Sequence, residues 1–382
     1  MKPLRVLIAT YDLSLRGGTQ MYVRDLAAGL LSRGHPPIVY SPQLGGVAQE
    51  IRDRTITVTD DLNSLTAAPD LIHGNHSLET VTALLQFPRV PVIQTVHGSF
   101  GFLSAAPKLS RILRYIPVDF RCYERIVLDQ SIPEAKLRVI FNGIDLEKFK
   151  PRGDLPPRAR KALVFSNYTE YGNHVRMIRK ACRRHGLSLD VVGAEAGVSA
   201  RPEEILPRYE IVFAKARCAL EALAVGNAVV LCDFAGLGQM VTSADISELR
   251  RQNFGVRTLR NKLSPDLIAN EIAKYDALDA KSVSETIRAI SDVNNMVDEL
   301  VQQYREVIME FDASPPFDLE LERREVAAYL QWLSKEIQNS ISAKAALKTA
   351  LSRLPILRSP RVTRQVLRLT RRLTSFNENT NR

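Results

Sequence analysis

Short apolar runs alternate with amphipathic stretches through the first 260 residues, and this alternation most constrains the fold. Apolar runs of strand length fall at residues 6–10, 38–40, 56–58, 71–73, 92–96 and 137–141. Helical patterns separate them at residues 78–86, 108–115 and 119–128, and Thr19 is placed to cap an earlier helix. Strands that alternate with helices are typical of a parallel sheet, so we predict an α/β fold.

The same alternation resumes after a Pro-rich and charged segment at residues 150–161, which has the composition of a linker. Further strands are predicted at residues 162–166, 189–192, 211–213, 228–232 and 254–258, with a helix at 175–184. Beyond residue 264 the pattern is helical, with one apolar stripe from Ile287 to Phe311 and another from Leu319 to Ile341. A chain of 382 residues is too long for one ordinary core. We therefore predict two Rossmann-like domains at 1–155 and 156–280, long helices at 281–341 and a separate tail at 342–382.

The segment from Phe213 to Asp233 joins the end of an apolar run to a short helix and a second apolar run. Gly226 stands where a helix is expected to end. Lys215 and Arg217 lie at the helix start, where the positive end of the helix dipole disfavours cations. A bound anion would offset that cost, because helix N-termini after buried strands bind phosphate groups. The alternative interpretation is a solvated helix start.

The net charge of +10 is concentrated in the tail. Residues 341–382 hold ten Lys or Arg against one acid, so the rest of the chain carries only about +1. In the tail, arginines lie opposite an aliphatic stripe from Val362 to Leu373, as in helices that lie on anionic membranes. A helix packed on the body is the alternative. The chain shows no nucleic-acid motif, so no nucleic-acid partner is expected.

Cysteine and histidine spacings give no sign of a disulfide framework or a metal centre. The four cysteines have no close paired spacing, and we interpret them as reduced thiols of a cytoplasmic protein. His73 and His76 flank a short loop, but no acid or cysteine accompanies them. We expect no metal and no cofactor.

Four short motifs resemble the GT-B glycosyltransferases, in particular the large retaining family four. They are Gly17-Gly18-Thr19, Val96-His97-Gly98, Asn142-Gly143-Ile144-Asp145, and the run Leu220-Glu221-Ala222-Leu223-Ala224-Val225-Gly226. The resemblance covers roughly residues 4–260 and implies two Rossmann-like domains that face each other across a cleft, followed by a helical extension.

The resemblance also implies roles for individual residues. In the family, the residue matching Glu221 holds the ribose hydroxyls of a nucleotide sugar, the glycines matching Gly17 and Gly18 let backbone amides approach the diphosphate, and the residue matching His97 lies near the transferred sugar. We accordingly predict His97 as the catalytic residue. The predicted donor-binding residues are Gly17, Gly18, Ser166, Asn167, Gly193, Lys215, Arg217 and Glu221.

This chain departs from the family pattern at two places. The family has a second Glu eight positions before the ribose Glu, and Phe213 occupies that position here. The family also has cations after the first strand of its second domain, where this chain has the segment from Ser166 to Asn173 without any cation. Our hypothesis is that Lys215 and Arg217 supply the missing positive charge to the diphosphate.

These observations predict a retaining glycosyltransferase of hexosyltransferase type, acting in cell-surface glycan or polysaccharide biosynthesis. Its expected partners are a nucleotide sugar, a glycan or lipid-linked acceptor near the small-residue loop at 99–107, and an anionic membrane surface. The protein would be cytoplasmic or peripheral on the inner face of the plasma membrane. The alternatives are a catalytically silent GT-B module that binds a nucleotide or a partner transferase, and a sugar-nucleotide epimerase.

Overall fold

The computed structural model describes residues 2–98, 101–169, 173–193, 201–315 and 318–352, with side chains described as far as residue 342. The chain divides into two compact units. The first unit comprises residues 1–118, 122–139 and 300–382, and the second comprises 119–121 and 140–299.

The first unit is built on a six-stranded, fully parallel sheet. Its strands are β1 (Val6–Ala9), β2 (Pro37–Tyr40), β3 (Thr57–Thr59), β4 (Leu71–Gly74), β5 (Val92–Val96) and β6 (Ile112–Pro117), in the order β3-β2-β1-β4-β5-β6. The helices along this part of the chain are α1 (Gly18–Ser32), α2 (Gly46–Arg52), α3 (Ser77–Gln86) and α4 (Phe120–Glu124). Nearly every strand residue is buried, as expected for a sheet covered on both faces.

The second unit holds a five-stranded sheet in the order β11-β10-β9-β7-β8. Its strands are β7 (Lys161–Phe165), β8 (Ser188–Val192), β9 (Ile211–Ala214), β10 (Ala228–Asp233) and β11 (Gly236–Met240), and only β11 runs antiparallel to its neighbour. The helices here are α5 (His174–Arg184), α6 (Pro202–Ile205), α7 (Ala216–Val225), α8 (Ile246–Arg251), α9 (Pro265–Ile272) and α10 (Ala277–Ile290). Alternate strand residues enter two different core clusters, which cover the two faces of the sheet.

The C-terminal helices α11 (Val293–Ala313) and α12 (Leu319–Ser352) bring the chain back to the first unit. Tyr304 of α11 is fully buried, and its hydroxyl lies 2.6 Å from Nδ1 of His73 on β4. Glu322 of α12 forms a buried bidentate ion pair with Arg111. Its Oε2 lies 2.6 Å from Arg111 Nε, and its Oε1 lies 3.0 Å from a terminal guanidinium nitrogen. Val326, Tyr329 and Leu333 of α12 pack into the core of the same unit.

Several predicted elements are confirmed, and others are wrong for identifiable reasons. Residues 108–115 are not a helix, because Ile112–Pro117 pair with β5 as the edge strand of the sheet, and Pro117 favours extended backbone before it. The predicted strand at 137–141 is reduced to one bridge between Leu137 and Tyr115. Asn253 and Phe254 have positive φ values of 49° and 51°, so a turn replaces the predicted strand at 254–258.

Helix boundaries account for further differences. The stripe from Ile287 to Phe311 belongs to two helices, which are separated where Asp292 pairs with Ile144. Asp292 then caps α11, since its Oδ1 accepts from the Asn294 amide at 2.8 Å. Helix α1 is capped by Gly17, whereas Thr19 lies buried inside the helix.

The predicted domain boundary at residue 155 falls inside the second unit. Ile144 and Phe149 pack in one core of that unit, so the chain enters it at residue 140. From residue 300 onward the helices belong to the first unit rather than forming a separate layer.

The buried imidazole of His73 predicts a pH-dependent stability. Burial lowers the pKa of His73 from 6.5 to about 3. Below pH 6.5 the unfolded chain gains a proton that the folded chain does not, so the free energy of unfolding falls as the pH falls. We expect the destabilisation caused by His73→Gln, measured by urea unfolding, to shrink by about 1.4 kcal/mol per pH unit below about pH 6.5. A difference that does not vary with pH would contradict this assignment.

Candidate functional site at the carboxyl edges of the sheets

In each sheet, successive strands are added first on one side of the starting strand and then on its other side. Ligands of α/β sheets bind outside the carboxyl ends of the strands at such reversal points. In the second sheet this point lies between β7 and β9, because β8 and β9 lie on opposite sides of β7. The segments that leave the strands here are Ser166–Tyr168 after β7 and Lys215 after β9. Gly193 follows β8 on one side, and Asp233 ends β10 on the other.

The ends of β7 and β8 approach each other closely. The Ser166 amide donates to the Val192 carbonyl at 3.1 Å, and the Ser166 hydroxyl accepts from the Tyr168 amide at 3.1 Å. A Cβ on Gly193 would stand 1.9 Å from the Ser166 carbonyl oxygen, so this approach requires glycine. Asn167, the next residue, is exposed. The structure thus brings together the three predicted donor-binding residues of these strand ends.

Lys215 forms the whole connection between β9 and α7. Its ammonium group makes an ion pair with Asp233, whose side chain is fully buried. The same group lies 5.0 Å from the Tyr168 ring centre and 5.6 Å from that of Phe234, within the range of cation–π attraction. The cation predicted to meet a diphosphate is therefore already neutralised by a carboxylate that we did not predict.

Arg217 and Glu221 lie one helical turn apart on α7. Arg217 Nε donates to Glu221 Oε1 at 2.9 Å, and both side chains are largely buried, with 12% and 8% exposed. A carboxylate accepts several hydrogen bonds at once, so this pair is compatible with further donors. Helix α7 ends as predicted, with Gly226 at a φ of 100°. Arg217, in the first turn of α7, therefore orients Glu221, which lies near the middle of the helix.

Position 213, eight residues before Glu221, holds Phe rather than an acid, and its place in the fold explains why. Strand β9 runs to Ala214 and α7 begins at Ala216, so position 213 lies inside the strand. The Phe213 side chain is fully buried in the core that α5 and α9 cover. An ionised carboxylate there would be buried without a partner, at a cost of several kcal/mol.

In the first sheet, the chain reverses direction between β1 and β4. Gly17 caps α1 with extended backbone, and a Cβ on Gly18 would meet no atom within 4 Å. Packing within the chain therefore does not require glycine at position 18. Beside these loops, the Asn75 amide donates to the Ala9 carbonyl at 2.9 Å and ties the end of β4 to that of β1.

His97, at the end of β5, is half-buried and held by Asn75. Its Nε2 lies 2.8 Å from Asn75 Oδ1, while Asn75 Nδ2 donates to the Ala9 carbonyl at 3.2 Å. Because that second bond fixes the amide orientation, Nε2 of His97 carries the proton and Nδ1 is left as an acceptor. Burial, with smaller contributions from His76 and His73, holds the pKa of His97 well below 6.5. The imidazole is therefore neutral at physiological pH.

Two residues, one at the carboxyl edge of each sheet, were missed by reasoning from sequence. Asn75 was assigned to a loop between two histidines, although it orients His97. Asp233 was assigned only to the end of an apolar run, although it pairs with Lys215. An isolated polar residue directly after a buried strand was the available signal in both cases. His73 and His76 are engaged in hydrogen bonds with Tyr304, Thr95 and Thr10.

Some predictions lie outside the described residues. These are the tail beyond residue 352 and residues 99–100 of the predicted acceptor loop. Within the part of the chain that is described, no three or more His, Cys, Asp or Glu side chains cluster as a metal would require. Over the same residues, no helix has the length and apolar character needed to cross a membrane.

Comparisons with known proteins agree with this architecture. Residues 16–148 match the family model described as Glycosyltransferase Family 4. A glycosyltransferase from Rickettsia africae has a TM-score of 0.57 at 15% identity, over 81% of this chain and 99% of its own. Anabaena HepE, solved in complex with UDP and glucose, has a TM-score of 0.57 at 14% identity, over 79% of this chain and 100% of its own. Sucrose-phosphate synthase from Thermosynechococcus elongatus has a TM-score of 0.51 at 16% identity, over 82% of this chain and 100% of its own. No curated protein matches the sequence.

The chain therefore has the GT-B fold of glycosyltransferases. The resemblance to family four is confirmed over residues 16–148, which include Gly17, Gly18, His97 and the Asn142–Asp145 motif. The matches favour a glycosyltransferase over the epimerase and silent-module alternatives. The family match ends before Glu221, so the assignment of the second-unit residues depends on their geometry and on the motif that contains them.

The ion pair of Lys215 with Asp233 predicts a large effect on stability. Lys215→Met leaves the fully buried Asp233 carboxylate without its cation, and we expect a loss of about 3 kcal/mol in the free energy of unfolding. The double variant Lys215→Met, Asp233→Asn removes both charges and should recover more than half of that loss. Urea unfolding at neutral pH measures both values, and equal destabilisation of the two variants would contradict a coupled pair.

Proposed function

We propose that this protein transfers a sugar from a nucleotide-diphosphate sugar to a hydroxyl acceptor, with retention of the anomeric configuration and with a hexose as the transferred group. The observation that carries the proposal is the Arg217–Glu221 pair, which holds a carboxylate on α7, the helix that follows β9 at the reversal point of the second sheet. The UDP found with Anabaena HepE supports a nucleotide as the ligand of this fold.

Glu221 would bind the two ribose hydroxyls of the donor. A carboxylate accepts two hydroxyl hydrogen bonds in one plane, and Arg217 limits its rotation by holding Oε1. The diphosphate would lie against the first turn of α7, beyond the Ala216 amide that donates to the Phe254 carbonyl, and against the Ser166–Asn167 turn. Protein donors would thus stabilise the leaving diphosphate, and we propose that no metal is needed.

We infer a further role for the cations at this edge, beside the hypothesis that they supply positive charge to the diphosphate. Lys215 and Arg217 are each paired with a carboxylate, so the four groups together carry no net charge. We infer that Arg217 acts as a positioning residue for Glu221. Lys215 would contact the donor only if phosphate oxygens replace Asp233 as its partner.

In the first unit, His97 would contact the transferred sugar. Its neutral ring presents Nδ1 as an acceptor, which suits a sugar hydroxyl that donates a hydrogen bond. Asn75 is the positioning residue that fixes this tautomer. The acceptor, a glycan or a lipid-linked glycan in our proposal, would bind near Gly18 and the 101–107 part of the following loop.

We also propose that the protein works in the cytoplasm, in cell-surface glycan or polysaccharide synthesis, and docks peripherally on the inner face of the plasma membrane. The sequence of the tail supports this, because its arginines alternate with an aliphatic stripe. Each cation near an anionic surface contributes about 1 kcal/mol to membrane binding.

Nucleotide binding tests the donor site directly. Among UDP, GDP and ADP, one should raise the free energy of unfolding by about 2.7 kcal/mol at 100 times its dissociation constant. Glu221→Ala should weaken that nucleotide on the order of tenfold, because a charge-assisted hydrogen bond is lost. Arg217→Ala should weaken it less, and Arg217→Lys should restore part of the loss. Thermal-shift titration measures all four proteins.

Glu248→Ala is the matched control, since Glu248 is an exposed acid on α8 of the same unit. Its nucleotide affinity should equal that of the wild type. No shift with any nucleotide would overturn the transferase proposal. A shift that both Glu221→Ala and Arg217→Ala leave intact would place the site elsewhere. Binding without sugar release from any nucleotide sugar would favour the silent module.

A further inference from the structure

Helix α5 carries a concentrated positive charge on its exposed side. Its eleven residues include five exposed cations and no acid. These cations are Arg176, Arg179, Lys180, Arg183 and Arg184. The helix thus holds a charge of +5 in a chain whose first 340 residues carry only about +1 in total.

The packing of α5 fixes the direction of this charge. Ile178, Ala181 and Cys182 are buried in the core that α5 and α9 share with the sheet. Side chains at these positions occupy one face of the helix, so the cations project from the other. The helical period that buries the apolar residues therefore also places the cations together on the exposed side.

Neighbouring acids do not neutralise this face. Helix α9, which packs against α5, carries two carboxylates. Asp266 pairs with Arg184, whereas Glu271 pairs with Lys274 and accepts from the Met240 amide. Among the described residues, the side chains of Arg176, Arg179, Lys180 and Arg183 have no ion-pair or hydrogen-bond partner. We call these four residues the α5 basic face.

Like charges at this spacing repel one another. Arg176 lies three and four residues before Arg179 and Lys180, and these in turn lie close to Arg183 along the helix. Such pairs destabilise a helix when no counter-charge is present. A binding partner that carries negative charge removes this repulsion, whereas water and salt only screen it.

We propose that the α5 basic face docks on an anionic lipid surface, as a second electrostatic contact beside the C-terminal tail. This inference rests on the proposed peripheral membrane docking and not on sugar transfer. A lipid surface fits better than a single-stranded nucleic acid, because α5 has no exposed aromatic side chain on which bases could stack. The face is also broad and purely cationic, which suits a field of headgroups rather than one phosphate.

Three full-length variants with equal charge change test the proposal. The first replaces the α5 basic face with glutamine (Arg176→Gln, Arg179→Gln, Lys180→Gln and Arg183→Gln). The second makes the same change at Arg361, Arg364, Arg368 and Arg372 of the tail. The control makes it at Arg260, Lys262, Lys274 and Lys281, which are exposed cations on other segments of the second unit. Circular dichroism and thermal unfolding establish that each variant folds.

Binding is measured by co-sedimentation with phosphatidylcholine vesicles, with and without phosphatidylglycerol, at low and high salt. Each surface cation raises partitioning about fivefold. With four cations removed, the α5 variant should therefore bind anionic vesicles about 600-fold more weakly at low salt. The control should bind far better than the α5 variant, and high salt should reduce the difference.

Three outcomes overturn the proposal. If only the tail variant loses binding, membrane docking stands but α5 takes no part in it. If the α5 and control variants lose binding equally, net charge rather than this face is responsible. If the α5 variant keeps vesicle binding but loses affinity for labelled single-stranded DNA, the partner of the face is a nucleic acid.

Discussion

Parallel strand pairing determines where chemistry can occur in this protein. In a parallel sheet every strand delivers its following loop to the same edge, so polar residues from distant parts of the sequence meet there. Ser166, Gly193, Lys215 and Asp233 follow or end four strands of the second sheet. Asn75 and His97 stand at the same edge of the first sheet. The buried sheets supply rigidity, and their carboxyl edges supply the functional groups.

The single-residue turn at Lys215 shapes the second edge. It draws α7 close to the end of β9, places Ala216 in a left-handed conformation with a φ of 51°, and buries position 213 in the strand. A sugar-contacting acid cannot occupy a position that lies in the core. The groups that face the edge are instead two ion pairs, Lys215 with Asp233 and Arg217 with Glu221.

Much of this architecture could be predicted from the sequence, because buried parallel strands appear as short apolar runs. The strands from β1 to β5 and from β7 to β10 were found this way, as was the left-handed Gly226 at the end of α7. The edge strand β6 falls largely inside a stretch predicted as a helix, since Ile112–Pro117 are too few residues for a period to decide. The antiparallel β11 was missed because Gly236–Met240 contain two glycines, which lower strand propensity.

The site itself was only half predictable. Motifs pointed to Glu221 and His97. Arg217 holds Glu221 from one turn away on the same helix, whereas the partner that orients His97 comes from tertiary structure. Asn75 reaches His97 only because β4 and β5 are neighbours, and Asp233 reaches Lys215 only because β9 and β10 are. The return of α11 and α12 to the first unit also depends on contacts between distant parts of the sequence. The buried ion pair of Arg111 and Glu322, for example, joins residues 211 positions apart. No local pattern encodes contacts of that kind.

We propose that a nucleotide binds at the second sheet with its ribose on Glu221. Saturation-transfer difference NMR with UDP, GDP and ADP tests this most directly, because it reports which ligand protons touch the protein. The account predicts strong saturation of the ribose protons of one nucleotide with the wild type, and selective loss of the ribose signal relative to the base signal with Glu221→Ala. An unchanged ribose-to-base ratio in that variant, or no saturation of any nucleotide by the wild type, would contradict it.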